Sequence, residues 1–395
     1  MDKEPATDIP VGLSREELSH YADLARTFSG KSVASLFEGE HPDGDLSRLP
    51  AVLDTAFTIG LAASPDRSLP GSQYGIWGSA VDELGPAPSL LLLSVVAETC
   101  GGVAMCLHSQ GVASAIALRA KGGPAPARVR LCLQEGPYPP HAGVLARPGE
   151  DAPARIETTA AEERGGYVIR GAKSFSYSME GAGAFVVFTR AKDRWACFLA
   201  PAGQGGITVT DAGARTGLRA CRLDHVAFDG VELPREARID GGDAEELVSR
   251  ALFLNWSGMS AIAVGIARGS VAAARAYASE RYQGGSLIEK HPAVKMLIAG
   301  ADAAARSAEA AVMALADCAI GSRGALARAA AAKLAATELA ARAVTDSMQV
   351  LGGYGYMEDF GMEKRLRDVM VLRTACGPPA YLKQMFFDLT GEYAS

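Results

Sequence analysis

The stretch from residue 244 to 395 limits the fold more than any other part of the chain. Three long segments there, Leu247–Glu280, Pro292–Ile320 and Ala325–Leu351, carry apolar residues at helical spacing and are rich in alanine. A long helix with an apolar stripe is stable only when that stripe is packed against other elements. The connections between the segments are short and contain glycine, so the three predict a helix bundle. Alanine lets helices approach closely, which suits a bundle interior or a subunit interface.

Upstream the texture changes twice. Between residues 129 and 243 the apolar period shortens. Val129–Leu133 and Ile156–Ala160 alternate, Gly166–Gly171 is β-rich between glycines, and Phe185–Thr189, Trp195–Ala200 and Leu223–Val231 read as further strands. Short strands joined by Gly, Pro and Asp predict a small antiparallel barrel or sandwich. Before residue 128 the chain reads as helices. Ser14 with Glu17 three residues on has the form of a capping box, and Leu90–Leu118 is apolar and almost uncharged, as expected of a buried helix pair broken at Gly101-Gly102. The expected fold class is therefore α+β, mainly α. It comprises an N-terminal helical domain (1–128), a middle antiparallel β domain (129–243) and a C-terminal helical bundle (244–395).

Several functions are excluded at this point. Lys and Arg number 39 against 45 Asp and Glu, so the net charge is −6, the wrong balance for a nucleic-acid binder. The seven cysteines (100, 106, 132, 197, 221, 318 and 376) include no CxxC pair, which argues against a zinc site or a disulfide framework. A reducing cytoplasm is the expected setting. The polar segment Met1–Pro5 has no signal-peptide character. The apolar run Leu90–Ala97 is far too short to cross a membrane. Neither GxxxxGK[ST] nor a GxGxxG loop between strand and helix is found, so no P-loop or Rossmann site is expected.

Four motifs, in order, carry a resemblance. They are Gly171-Ala172-Lys173-Ser174-Phe175; Gly217-Leu218-Arg219 with Val226–Pro234; Gln349-Val350-Leu351-Gly352-Gly353-Tyr354-Gly355-Tyr356; and Arg367-Asp368. Their order and spacing from about residue 15 to 390 resemble the acyl-CoA dehydrogenase family. The resemblance implies a helical domain, a β domain and a C-terminal four-helix bundle, assembled as a homo-oligomer, a tetramer or a dimer. It implies FAD between the β domain and the bundle, with the adenosine end reaching a neighbouring subunit. It also implies α,β-dehydrogenation of an acyl thioester and electron-transfer flavoprotein as an electron-accepting partner.

Residue by residue, the resemblance implies that Arg281 contacts the FAD pyrophosphate of an adjacent subunit, a role suited to a guanidinium fork. A solvated Arg at a helix end is the plain alternative. Gln349, Gly352 and Gly353 match the loop at the adenine end. On the flavin-ring side, Leu145 and Ala146 stand where the family carries Val-Thr, Phe175 takes the stacking position, and Tyr177 falls where a Thr or Ser is usual. Gly284 and Pro292 also depart from the family pattern.

The position of the catalytic base departs most. The family places a Glu before a Gly just after the Arg-Asp pair; Gly377 aligns with that Gly, and Cys376 replaces the Glu. Some members carry the base on the first bundle helix, where this chain has Asn255 beside Trp256. A thiolate is a stronger base than a carboxylate but needs activation by a cation or a helix N-terminus. Otherwise Cys376 is a small apolar residue. Glu180, following the flavin-side strand, is the alternative base; Glu358 and Asp359 read as a solvated turn. Ala152 stands where a Ser commonly touches CoA, behind Glu150-Asp151, an unfavourable pair near a polyanion. A thioester on a carrier protein is therefore an expected substrate beside acyl-CoA. Three readings follow: an acyl-thioester dehydrogenase with an atypical base, a flavin monooxygenase, oxidase or redox-neutral enzyme on the same fold, and a non-catalytic flavin-binding partner subunit.

Overall fold

The computed structural model describes residues 15–39, 42–120, 125–135, 156–163, 165–192, 194–241 and 243–391. The helix α1 runs Arg15–Phe28; the Ser14 cap expected for it lies outside the described residues. It is followed by α2 (Leu49–Thr58), the single turn α3 (Val81–Leu84), α4 (Ala87–Thr99) and α5 (Gly101–Ala117). The break between α4 and α5 falls at Cys100, which is extended (φ −148°, ψ 110°), one residue before the glycine pair. Every residue of α5 is buried, including His108 and Gln110, as an uncharged helix enclosed on all sides requires.

Seven strands form one sheet: β1 (Val129–Cys132), β2 (Thr159–Glu163), β3 (Gly166–Ser178), β4 (Ala184–Ala191), β5 (Arg194–Pro201), β6 (Ile207–Asp211) and β7 (Arg222–Pro234). Their order is β1-β4-β2-β3-β7-β6, with β5 also on β4. The pairings β2–β3, β3–β7, β4–β5 and β6–β7 are antiparallel, but β1 runs parallel to β4, with Val129 opposite Ala184, and Thr159 of β2 meets Arg190 in parallel. The sheet is therefore mixed rather than wholly antiparallel, because two short strands share β4 as a parallel neighbour. The strand β6 escapes the sequence pattern because, apart from half-buried Ile207, its residues are exposed. Val187, Phe198, Phe228 and Val231 fill the core beneath the sheet.

From Ala244 the chain is helical: α6 (Ala244–Glu280), α7 (Pro292–Met313), α8 (Arg323–Val350), α9 (Met362–Thr374) and α10 (Pro379–Thr390), with a small hairpin of β8 (Tyr282–Gln283) and β9 (Ser286–Leu287) after α6. Asp243 and Ser322 cap α6 and α8 by accepting from Glu246 N and Ala325 N. The helix α6 is long and apolar enough to cross a membrane, yet its most apolar window is 94% buried inside the protein, as befits the central helix of a bundle. It packs on α4, α5, α7, α8 and α9, so one face of α6 reaches the β domain side and the other the bundle core.

Candidate functional site

A cavity of about 270 Å³ lies where α5, β1, β3, β7, α6 and the end of α9 converge. Ser109 and Val112 come from α5, Leu131 from β1, Ser174–Tyr177 from β3, Asn255 and Met259 from α6, and Thr374–Cys376 from the end of α9. Four residues singled out in the sequence thus meet here: Phe175, Tyr177, Asn255 and Cys376. Among the described lining residues there is no carboxylate.

Two of the four carry left-handed backbone, Phe175 at φ 55° and Cys376 at φ 49°. Such conformations cost non-glycine residues of the order of 1–3 kcal/mol and persist only where surrounding structure imposes them. At Phe175 the cause is a bulge: the β3–β7 register shifts between Lys173 and Ser176. Lys173, fully buried, pairs with Glu135 at 2.5 Å, and Ser174 N donates to Gln134 O at 2.8 Å. Burial lowers the Lys173 pKa, and Glu135 opposes that shift. The bulge leaves the Phe175 ring 41% exposed, edge-on to His225 at 5.1 Å, where a sheet-core aromatic would be enclosed.

At Cys376 the cause is a set of buried donors. Lys333 of α8 donates to Ala375 O at 2.5 Å and to Gly377 O at 2.8 Å, and Trp256 Nε1 donates to Cys376 O at 2.6 Å. Gly377 follows at φ 126°, a conformation open to glycine. Trp256 therefore braces the turn from behind without lining the cavity. Burial pushes the Cys376 thiol up to about 11, with Lys333 opposing that shift, and pushes the Lys333 ammonium down to about 8. The Tyr177 and Tyr381 phenols are raised above their ordinary values, by burial first in each case.

On the α5 side, Trp77 Nε1 donates to His108 Nδ1 at 2.9 Å. An indole N–H is donor only, so the ring is a neutral imidazole with its proton on Nε2. Burial drives the His108 pKa down to about 3, with a side-chain contact to Asn255 opposing it. Asn255 Nδ2 also donates to Ala251 O at 2.8 Å, so the amide is tied on its own helix while it faces the cavity. A Cβ at Gly258 would lie 2.3 Å from the His108 ring, so only glycine admits that ring against α6.

The other sequence candidates lie elsewhere. Arg281, exposed at the end of α6, has its guanidinium 5.5 Å from the centroid of the Tyr354 ring. Gln349, Gly352 (φ 59°) and Gly353 immediately precede that tyrosine at the end of α8, so with Arg281 they form a second group at one end of the bundle, outside the cavity. Glu180 does not reach the cavity: its carboxylate is 3.8 Å from Arg222 and its side chain is 73% exposed, because the chain has left β3 for a surface loop. Gly377 is buried behind the turn, against Tyr381 and Leu382. Leu145, Ala146 and Ala152 lie outside the described residues. The exposed Phe175 ring and nearby Tyr177 can hold a flat aromatic cofactor, and the Arg281 guanidinium can hold phosphate; in chemistry both groups fit FAD. No cluster of metal ligands occurs among the described residues. Sequence reasoning passed over Lys333, His108 and Trp77.

The motifs far apart in sequence touch. Asp368, buried, accepts from Leu218 N at 2.6 Å and from Lys364 Nζ at 2.6 Å, and a Cβ on Gly217 would lie 2.5 Å from the Arg367 backbone. Arg367 itself pairs with Asp43 and Glu363. The Gly-Leu-Arg and Arg-Asp motifs are thus the two halves of one joint between the β domain and the bundle. Family models agree: residues 147–231 match the acyl-CoA dehydrogenase middle domain and residues 249–385 the acyl-CoA dehydrogenase C-terminal domain. The chain belongs to the acyl-CoA dehydrogenase family. It is 35% identical over 232 residues to benzylmalonyl-CoA dehydrogenase of Aromatoleum aromaticum, covering 58% of this chain and 62% of that protein. The chain spans about three fifths of the length of the relatives it matches. In fold it is similar to butyryl-CoA dehydrogenase from Megasphaera elsdenii (TM-score 0.76, 20% identity, 100% of both chains covered). It is also similar to the prolyl acyl carrier protein oxidase AnaB (TM-score 0.76, 16% identity, 96% of this chain and 100% of that one).

Proposed function

We propose that this protein is an FAD-dependent acyl-thioester dehydrogenase that desaturates an acyl chain, with Cys376 in the place of the family's carboxylate base. The observation that carries the reading is the Cys376 turn: a thiol held in left-handed backbone at the wall of an apolar cavity, facing the same space as the exposed Phe175 ring, with no carboxylate among the described lining residues. Phe175 and Tyr177 would hold the flavin ring, and Arg281 with the Gln349–Gly353 loop would hold the phosphate and adenine end. The cofactor, when bound, supplies an acceptor for the hydride that leaves the β carbon. Cys376, as thiolate, takes the α proton, Asn255 orients the acyl group through its amide, and Val112, Leu131 and Met259 keep water from the reacting carbons.

A homo-oligomer is part of this reading. Tyr282, Met296, Tyr356 and Phe387 are each at least 66% exposed and are side chains that a neighbouring subunit would cover. The acidic pair Glu150-Asp151 favours a substrate whose thioester is carried on a protein, and electron-transfer flavoprotein is the proposed acceptor. The raised thiol pKa favours a second reading, in which Cys376 stays protonated and the reaction is oxygenating, redox-neutral or a remote desaturation. Anaerobic bleaching of bound flavin by a panel of acyl-CoA and acyl-carrier thioesters tests the choice. Desaturation requires bleaching that Cys376→Ser reduces by about 10²–10⁴. Bleaching at the wild-type rate in that variant removes Cys376 as the base and favours a remote desaturation, whereas no bleaching by any thioester favours the oxygenating or redox-neutral form of the second reading.

A further inference from the structure

The turn that carries Cys376 is built unlike an ordinary helix end. Three consecutive carbonyls, those of Ala375, Cys376 and Gly377, each accept from a buried side chain. Lys333 takes the first and third, at 2.5 and 2.8 Å, and Trp256 takes the second, at 2.6 Å. Both side chains are fully buried. They arrive from different helices, α8 and α6, on the side of the turn away from the cavity. Trp256 is fixed in turn by edge contact with the Tyr381 ring at 6.4 Å.

A buried ammonium is costly, and a hydrophobic residue at position 333 would suit the alanine-rich face of α8 far better. Ala329, Ala330, Ala336 and Ala340 occupy that face, all buried. The cost is sustained at one of the two points, Cys376 rather than Phe175, where the chain bends into the left-handed region with a side chain other than glycine facing the cavity. Relaxed to ordinary backbone, the same residue would carry its side chain in a different direction.

We propose that Lys333 and Trp256 are positioning residues, which lock the Ala375–Gly377 turn in its left-handed form and so aim the Cys376 thiol into the cavity. Below its own pKa of about 8, Lys333 has a second effect through its charge, since an ammonium beside the turn favours the thiolate. The other titratable groups facing the thiol are Tyr381 of α10 and Tyr177 of β3, both held protonated by burial, while His108 of α5 is neutral above a pH of about 3. Arg373 of α9 is turned to the surface, where it pairs with Glu338 of α8. The proposal deepens the reading of Cys376 as the group that faces substrate, and rests on it.

Alkylation of the thiol tests the lock without flavin or substrate. The other six cysteines are buried, and Cys376 is the partly exposed one, so iodoacetamide labelling followed by mass of the Cys376 peptide reads this site. In the full chain, Lys333→Met is expected to slow alkylation roughly three- to tenfold at pH 7, where Lys333 carries its charge, and to have less effect on the profile above pH 9, where it does not. Lys333→Arg, which keeps a cationic donor, restores at least half of that loss. Trp256→Phe removes only the indole donor and is expected to change the rate by roughly threefold or more at every pH without moving the profile. A folded Lys333→Met protein with the wild-type profile overturns the role of Lys333. Should that variant fail to fold, Trp256→Phe decides: a wild-type rate overturns the lock. Thioester-dependent bleaching that fails while alkylation behaves as stated removes the dehydrogenase reading and leaves the lock standing.

Discussion

Replacing Gly258 by alanine gives an unusual sign for a helix interior. In an open helix the change is stabilising by roughly 0.5–1 kcal/mol, because alanine loses less backbone entropy. Here the added Cβ would lie 2.3 Å from the His108 ring atoms Cε1 and Nδ1, against ordinary contacts of 3.4 Å or more. His108 is fully buried and cannot swing into solvent. Its displacement overpacks α5 against α6, at roughly 1–3 kcal/mol. It also breaks the 2.9 Å bond from Trp77 Nε1 and leaves that donor buried without a partner, at about 1–3 kcal/mol more. Set against the helix gain, the net loss is roughly 1–5 kcal/mol. Urea denaturation followed by far-UV circular dichroism measures it. Gly300→Ala on α7 is the control, since its nearest neighbour would be 3.6 Å away, and it is expected to stabilise. A Gly258→Ala protein as stable as wild type would show that the α5–α6 seam is not packed as described. Because Asn255 and Met259 share that turn of α6, the variant also reports on the cavity wall.

Three further outcomes are expected. His108 has a folded pKa of about 3, well below the ordinary value, so between about pH 6.5 and 3 the unfolded chain binds a proton that the folded chain does not, and stability falls as pH falls through that window. His108→Gln should flatten this acid limb in urea titrations run from pH 7 to 4; an unchanged limb rules the histidine out as its source. Asp368→Asn leaves Lys364 buried without its counter-charge and should cost roughly 3–5 kcal/mol, measured by the same denaturation; a loss below 1 kcal/mol contradicts the joint between Leu218 and α9. Glu180→Gln should leave thioester-dependent flavin bleaching within twofold of wild type, since its side chain is at the surface; a dead variant returns the base to the loop after β3.

What the sequence disclosed followed the range of each signal. Helical periodicity over tens of residues located α6, α7 and α8 to within three residues at every end but one, α7 stopping at Met313 where Ile320 was expected, and the glycines around the first half of β3 marked a central strand. The strand β6 was missed because a mostly exposed edge has no buried face to alternate with, and the parallel β1–β4 pairing is a tertiary choice that no local pattern encodes. At the site, the Arg-Asp and Gly-Leu-Arg motifs were visible as words, while their contact through Asp368 was not. Glu180 was a candidate by chain proximity to β3, but two residues beyond the strand end sufficed to bring it to the surface. Lys333 did leave a trace: it falls on the stripe of Leu326, Ala329, Ala330, Ala336 and Ala340 that α8 buries, where a charge needs a reason. His108 left the same kind of trace in α5.

The central claim is that Cys376 removes the α proton of an acyl thioester. With the thiol pKa raised to about 11, the thiolate is a small fraction at neutral pH, so the rate of anaerobic flavin bleaching should climb about tenfold per pH unit from pH 8 to 10. Cys376→Glu, by carrying a carboxylate, should turn that slope into a plateau above about pH 6. The decisive measurement is stopped-flow bleaching of the wild-type holoenzyme by a reactive acyl thioester across this range. A steep rise that Cys376→Ser abolishes is the expected result; a wild-type rate independent of pH from 6 to 10, or one unchanged in Cys376→Ser, contradicts the claim.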